Sequence, residues 1–386
     1  MKNWIGFFSA YCLCANVLFA AGPKVTFEKT PYGGIQPQAM VDSTGTLHLL
    51  YYKGLPREGD LYYVARAKGQ KIYSAPLKVN NIKGSACCIG AIFRARMTIS
   101  HDGIVHVLWN GSFGFVKKQW EKKGKKRTPE EFTYLFYTRL ADDGKSFKAQ
   151  INLNRNTYGL DGNGSITVDR NGVVRVFWHA NLKGRSDRMA FMVQSTNKGR
   201  SFSEEAPITR SPTGACECCT LEAFTSSTGK TFVAYRTAET TGRDVVIFSS
   251  GTRNSPFKEV HRHQWKVFTC PASTFAFAED ARKIYAAWET KGHIYVKDVL
   301  SLAASINVSS VSKNCKYPSI AINSKGDRLT TWSTDTGWGK GGYIQYQVAT
   351  RNGVVISQSN RPGYSPAAYS FSSACALPAG NFVVFY

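Results

Sequence analysis

The sequence predicts an all-β fold, a β-propeller of four-stranded antiparallel blades, seven by hairpin count with six as the alternative. Three observations lead there: a glycine-to-aromatic hairpin that recurs seven times, space for two more strands between hairpins, and the composition. The 386-residue chain has 34 glycines, 13% aromatics and only 19% charged residues. Such a chain forms a core rather than staying disordered, and its glycines suit many turns.

Residues 1–20 come first and read as a secretory signal peptide outside the fold. Lys2 precedes an apolar run from Trp4 to Phe19, and Ala20-Ala21-Gly22 supplies small residues for cleavage. The run is short for a bilayer span, and no later stretch is long and apolar enough for one. The expected mature chain, 24–386, is a single propeller, secreted or periplasmic, with its cysteines in an oxidising compartment.

The repeat pairs Gly45 with Tyr51, Gly103 with Trp109, Gly172 with Trp178, Gly229 with Tyr235, Gly326 with Trp332 and Gly380 with Tyr386; Arg282 replaces glycine before Trp288. An alternating apolar strand fills each interval, and a second apolar strand precedes most of the turns. Asp42, Asp169 and Asn323 stand three residues before their glycines, where a side chain can bond the turn backbone. Each unit therefore reads as a β-hairpin. Successive units are 58, 69, 57, 53, 44 and 54 residues apart, a period that accommodates two further strands, such as 61–67 with 75–80 or 132–140 with 149–154. Lys24 to Lys29 is a lone strand, and the last unit ends on its second strand. Ring closure by the N-terminal strand follows, because closure removes sheet edges.

Two turns share one form: Asp142-Asp143-Gly144-Lys145-Ser146-Phe147 and Asn197-Lys198-Gly199-Arg200-Ser201-Phe202, with a degraded copy at Asn254-Ser255-Pro256-Phe257. This form resembles the Asp-box, or BNR repeat, of the sialidase superfamily. The resemblance covers essentially the whole mature chain and implies a peripheral position for these turns, away from any active site. It also implies where catalysis would sit. The family's tyrosine nucleophile lies in a Tyr-Ser-Ser-Leu segment of the last blade, and the matching segment here is Phe371-Ser372-Ser373-Ala374. Phenylalanine has no oxygen with which to attack. The family's early Arg-Ile-Pro segment corresponds to Gly34-Ile35-Gln36-Pro37, with Gln in place of Arg. The resemblance thus implies a divergent member without ordinary exo-sialidase catalysis.

In a propeller, the loops leading into innermost strands and those leaving second strands share one face. Here they carry Arg94, His179, Arg236, Lys316, Asp335 and Trp338 as candidate ligand-binding residues, with Glu217 and Glu222 nearby. Asp161, Glu289 and Tyr317 are the catalytic candidates. The resemblance to the sialidases, which clamp a substrate carboxylate with three arginines, implies Arg94 and Arg236 as two such clamps, with no third identifiable. Trp338, in a glycine-rich loop, is expected to stack on a sugar, whereas Trp109, Trp178, Trp288 and Trp332 belong to blade cores.

Cys87, Cys88, Cys216, Cys218, Cys219, Cys270 and Cys315 all fall in loops leading into innermost strands. They read as disulfides in an exported chain. The alternatives are a copper or zinc site, for which no nearby histidine completes a usual spacing, and redox chemistry or a vicinal disulfide. The expectation is no metal and no cofactor.

Lys and Arg exceed Asp and Glu by 49 to 26, a net charge of +23. That balance favours anionic partners, and export disfavours nucleic acid among them. The basic run Lys117 to Arg127 reads as a solvated insertion, or as a flap over an anionic ligand. Three functions stand: a sialidase-like propeller recognising an acidic carbohydrate, with hydrolysis left open; a non-catalytic lectin or protein-interaction scaffold; and, as the weaker third, a cysteine-metal or redox protein.

Overall fold

The computed structural model describes residues 22–386 apart from 125–133, 161, 183–187, 209–213, 240, 252–254, 282, 338 and 360–362. The signal-peptide segment, Asp161, Trp338 and Asn254 lie outside the described residues.

Seven antiparallel blades surround one axis. Blade 1 comprises Ile35–Val41, Leu47–Leu55, Glu58–Arg66 and Leu77–Lys78. Blade 2 comprises Arg96–Ile99, Val105–Asn110, Leu135–Arg139 and Ile151–Asn152. Blade 3 runs Ser165–Val168, Val174–Leu182, Arg188–Ser195 and Ala206–Pro207, with the short Thr157–Tyr158 beside its second strand. Blade 4 comprises Glu222–Thr225, Thr231–Arg236, Val245–Ser250 and Lys258–His263. Blade 5 comprises Phe275–Asp280, Lys283–Thr290, His293–Asp298 and Ile306–Asn307. Blade 6 comprises Lys316–Ile322, Arg328–Thr334, Tyr343–Ala349 and Val355–Gln358. Blade 7 joins Ser373–Ala376 and Phe382–Phe385 to the N-terminal strand Val25–Glu28.

The all-β propeller with seven blades is therefore the fold, and six is excluded. The hairpin turns form as their residues dictate. Gly45, Gly103, Gly172, Gly229, Gly326 and Gly380 all have φ between +73° and +85°, a region costly to any residue with a Cβ. Asp42 Oδ1 accepts from the Thr44 and Thr46 amides at 2.9 Å, and Asn323 Oδ1 from Lys325 and Asp327 at 3.0 and 2.9 Å. Trp109, Trp178, Trp288 and Trp332 are buried in the blade cores, at most 3% exposed.

The N-terminal strand closes the ring by parallel pairing, Val25 opposite Phe382 through Glu28 opposite Phe385. The Phe382 amide donates to Lys24 O at 2.9 Å, and the Thr30 amide to Tyr386 O at 2.7 Å. Phe27 stacks on Tyr364 with centroids 4.3 Å apart.

A second set of bonds joins the blades around the axis. Innermost strands have one unpaired edge, whose N–H groups need acceptors. Side chains of the preceding blade supply several. Ser165 Oγ accepts from the Ala223 amide, Thr167 Oγ1 from Thr225, Ser319 Oγ from Ala374 and Ser373 Oγ from Ala39, all at 2.9–3.0 Å. Gln38 Oε1 accepts from the Met97 amide.

The turns between third and fourth strands press an aromatic ring onto the preceding blade. Phe147 meets Tyr63 edge-on at 5.7 Å, and Phe202 meets Tyr137 at 4.8 Å. Asn197 Oδ1 caps the Ser201 amide at 2.9 Å; in the other turn Asp143 caps Lys145 while Asp142 pairs with Arg139.

The basic insertion departs from expectation. Phe113–Lys123 is an α-helix, capped by Ser112 Oγ on the Phe115 amide at 3.0 Å and ended by Gly124 at φ +61°. Ser before the run and Gly after it were the signals for the helix; 125–127 lie outside the described residues. Among the described residues, no helix is long and apolar enough to cross a membrane.

Deleting 22–29 should open blade 7 and expose the Phe382–Phe385 edge. The expected outcome in thermal melts is lost cooperativity or aggregation. A truncated protein that melts like the parent would contradict closure by this strand.

Candidate functional site

The axial channel is a cavity of about 370 Å³ to which every innermost strand contributes. Its wall is mostly small, apolar or hydroxylated. Among the described residues that line it, the charged ones are Arg94, Arg96 and Glu222. Alternation explains the pair: Arg94 and Arg96 are two apart at the start of the blade 2 inner strand, so they share a face. Glu222 opens the blade 4 inner strand across the axis. Arg94 Nη2 lies 3.5 Å from Glu222 Oε2 and 3.3 Å from Phe275 O, and Arg96 also pairs with Glu222. The Nε atoms of Arg94 and Arg96 are buried without a hydrogen-bond partner. Burial pulls the Arg94 pKa down to about 10 and holds that of Arg96 well below its ordinary value, where Arg94 adds like-charge repulsion. At about 10, the Arg94 guanidinium remains charged at neutral pH.

Arg94 sits over the Phe371 ring, its Cζ 5.3 Å from the centroid. Tyr317 packs against the same ring at 6.3 Å. Burial pushes the Tyr317 phenol up to about 12.

Backbone strain collects at this face. Among the described residues, nine non-glycine residues have positive φ: Tyr32, Gln36, Lys198, Ala272, Lys291, Asn314, Tyr317, Asp335 and Tyr369. All but Lys198 lie in the first residues of innermost strands, in the loops leading into them, or between second and third strands. Conformations of this kind cost about 1–3 kcal/mol each and persist only where surroundings enforce them. Gln36 shows the enforcement. Its side-chain amide donates to Cys88 O at 2.9 Å, Gly90 O at 3.0 Å and Tyr369 O at 2.8 Å, and its backbone N–H to Ser370 Oγ at 2.9 Å. One side chain thus ties blades 7, 1 and 2 at the channel mouth. The sequence comparison singled out Gln36 only as a lost arginine.

The other candidates separate. Arg236 is fully buried and lies away from the channel wall, giving its guanidinium to Arg243 O, Glu289 O and Ser273 Oγ and stacking on Trp265 at 4.8 Å. The carboxylate clamp expected of Arg94 with Arg236 is therefore not assembled; Arg96 stands beside Arg94 instead. Glu289 is 2% exposed, with Ser273 Oγ at 2.6 Å on one oxygen and the Gly292 amide at 2.8 Å on the other. Lys316 reaches Pro271 O. Asp335 is exposed in its loop. Glu217 pairs with Arg188 at 3.3 Å.

His179 is buried, its Nε2 donating to Cys219 O at 2.8 Å and its Nδ1 facing Arg188 Nη1 at 3.4 Å. Burial first, and Arg188 second, lower its pKa to about 3. It is a neutral structural link rather than a charged ligand group.

Of the seven expected disulfide cysteines, Cys218 and Cys270 are bonded. Cys87, Cys88, Cys216, Cys219 and Cys315 are buried free thiols, a correction to the fully bridged expectation, and Cys375 is another. Burial pushes the Cys87 and Cys88 thiols up to about 12 and that of Cys315 up to about 11. Three sulfurs, of Cys216, Cys218 and Cys219, lie within 4.8 Å of one another. The disulfide occupies one of them, leaving two thiols, fewer than a structural metal site uses.

No protein-family model matches the chain, and neither does any curated protein. Solved structures do match. A protein of unknown function from Dyadobacter fermentans is 12% identical with a TM-score of 0.53, covering 87% of this chain and 96% of its own. The α-L-arabinanase of Penicillium chrysogenum complexed with arabinobiose is 10% identical, TM-score 0.54, covering 87% and 99%. An α-L-arabinofuranosidase from Fusarium graminearum with an iminosugar inhibitor is 10% identical, TM-score 0.52, covering 86% and 98%. At these identities the likeness is one of fold, a β-propeller.

Two outcomes follow. Gln36→Ala should cost about 1–3 kcal/mol, because buried carbonyls lose their donor; chemical denaturation checks this, and an unchanged midpoint would refute the tie. His179 and His106 have folded-state pKa values of about 3 and about 4, below the ordinary 6.5. Below 6.5 the unfolded chain binds protons that the folded chain refuses, so stability is lost as pH falls from about 6.5 toward 4. Melting temperature against pH should show that decline; a flat profile would count against it.

Proposed function

We propose that this chain is an exported propeller that recognises an acidic carbohydrate at the channel mouth without hydrolysing it by the tyrosine-nucleophile route. The observation that carries the reading is the charge in the channel: two arginines against one glutamate, with two buried Nε–H donors unmatched. Unpaired buried donors cost about 1–3 kcal/mol each, so a ligand bringing acceptors and negative charge gains from them. A carboxylate suits two adjacent guanidinium groups. Phe371 and Tyr317 offer apolar ring surface beside them for a sugar face. The glycoside-hydrolase neighbours support a carbohydrate as the ligand class, and residues 1–20 support export to the cell exterior or periplasm.

Two features argue against hydrolysis. Phe371 supplies no nucleophile. Tyr317 is a phenol packed against that ring, but nucleophile activation needs a base within hydrogen-bond reach. Tyr317 bonds Thr336, and both oxygens of Glu289 are taken by Ser273 and Gly292.

The test is binding of a panel of uronate- and sialate-bearing oligosaccharides by calorimetry, with release of reducing sugar measured in parallel. The expected outcome is binding that weakens as salt rises, falls at least about tenfold in Arg94→Ala, as loss of a charge-assisted pair implies, and is unaccompanied by turnover. Salt-independent binding indifferent to Arg94 would refute the site, and robust sialic acid release would refute the non-catalytic part.

A further inference from the structure

We infer that Cys216, Cys218 and Cys270 form a thiol–disulfide exchange site, in which the Cys216 sulfur displaces Cys270 from Cys218 and releases an exposed thiol. The inference is independent of the carbohydrate reading.

Three observations place the parts. Cys218 is bonded to Cys270, linking the loop into blade 4 with the loop into blade 5. Cys216 Sγ lies 3.3 Å from Cys218 Sγ, in contact with the sulfur it would attack. Cys216 is buried, whereas Cys270 is exposed. The attacking sulfur is thus shielded and the leaving sulfur faces solvent.

The local fold holds Cys216 in place. Its amide donates to Arg236 O at 2.8 Å, and the Cys219 amide donates back to Cys216 O at 3.2 Å, closing a tight turn over Cys-Glu-Cys-Cys. Cys219 Sγ in turn accepts from the Ser273 amide at 3.4 Å. The surroundings favour a thiolate at Cys216. A hydrogen bond from Cys219 is the largest influence, the nearby Arg243 and Arg236 add to it, and together they lower the Cys216 pKa to about 7 against the opposing effect of burial. Cys219 is held well above its ordinary value by burial and by Cys216, and stays the donor. A thiol whose pKa lies near ambient pH is a good attacking group.

The step balances without an external oxidant. A lone pair on the Cys216 thiolate forms the Cys216–Cys218 bond; the Cys218–Cys270 bond breaks, and its electron pair leaves on Cys270, which takes a proton from water. One disulfide precedes the step and one follows it. The blade 4 loop is then no longer tied to the blade 5 loop. The exposed Cys270 thiol can then exchange with a low-molecular-weight disulfide, forming a mixed disulfide and releasing one thiol.

The experiment is native-state alkylation of the full chain at neutral pH, acid quench, and mapping of disulfide-linked peptides by mass spectrometry. Two linked species are expected, Cys218–Cys270 and Cys216–Cys218, the second with alkylated Cys270. Cys216→Ser should reduce Cys270 alkylation to background. Cys219→Ser should slow it while leaving both linkages accessible, as befits a positioning residue. Cys270→Ala, held in a glutathione buffer containing the oxidised form, should accumulate Cys216–Cys218, and circular dichroism confirms that each variant is folded. Detection of Cys218–Cys270 alone in the parent, or of both Cys216 and Cys218 as free thiols in folded Cys270→Ala, would overturn the inference. Stoichiometric zinc or copper with Cys218 and Cys270 unlinked would overturn it as well.

Discussion

The unpaired inner edge of each blade is the constraint on which this molecule turns. Seven short strands converge on the axis, and each must find acceptors for amides that no further strand can reach. Ser165, Thr167, Ser319, Ser373 and Gln38 answer this from the neighbouring blade. The same requirement explains the serines and threonines set among the apolar side chains of the channel wall. The N-terminal strand meets the corresponding need at the other edge of the last blade, where it pairs with Phe382–Phe385.

Against so uniform a wall, the few charged residues stand out. Arg94, Arg96 and Glu222 place an excess positive charge in a small cavity, while most of the chain's +23 resides elsewhere. The net charge therefore says little about the ligand; the three residues on two inner strands say more. Around them the backbone is held in left-handed conformations at Gln36, Tyr317 and Tyr369, and register shifts in blades 1 and 6 fall beside Gln36 and Tyr317. Bulges re-aim side chains, and here they occur where strands meet the mouth.

What the sequence revealed and what it hid follow from the range of each interaction. Turns are local, so Gly45, Asp42 and their repeats disclosed the hairpins, their number and hence the propeller. Trp178 and Trp288 were placed correctly in blade cores because alternation is local too. The partners of Arg236 and Glu289 are not local: Arg236 reaches Ser273, 37 residues away, and Glu289 reaches back to Ser273, 16 residues away. Both belong to the right face of the fold, yet both are spent on holding loops. Arg96 was visible only as part of an apolar strand, although its two-residue spacing from Arg94 already implied a shared face. The helix at Phe113–Lys123 was masked by its charge run, which drew attention away from its two caps. Cysteine pairing is decided by loop geometry, which spacing along the chain does not encode.

The central claim is that an anionic sugar engages the two channel arginines. Side-chain Nε–Hε signals of Arg94 and Arg96, assigned by NMR through single Arg→Lys variants, report on it directly during titration with a uronate disaccharide. The account predicts saturable shifts of both signals, with the resonances of Arg236 unmoved. Shifts confined to other residues, or none at either channel arginine while the sugar binds, would contradict it.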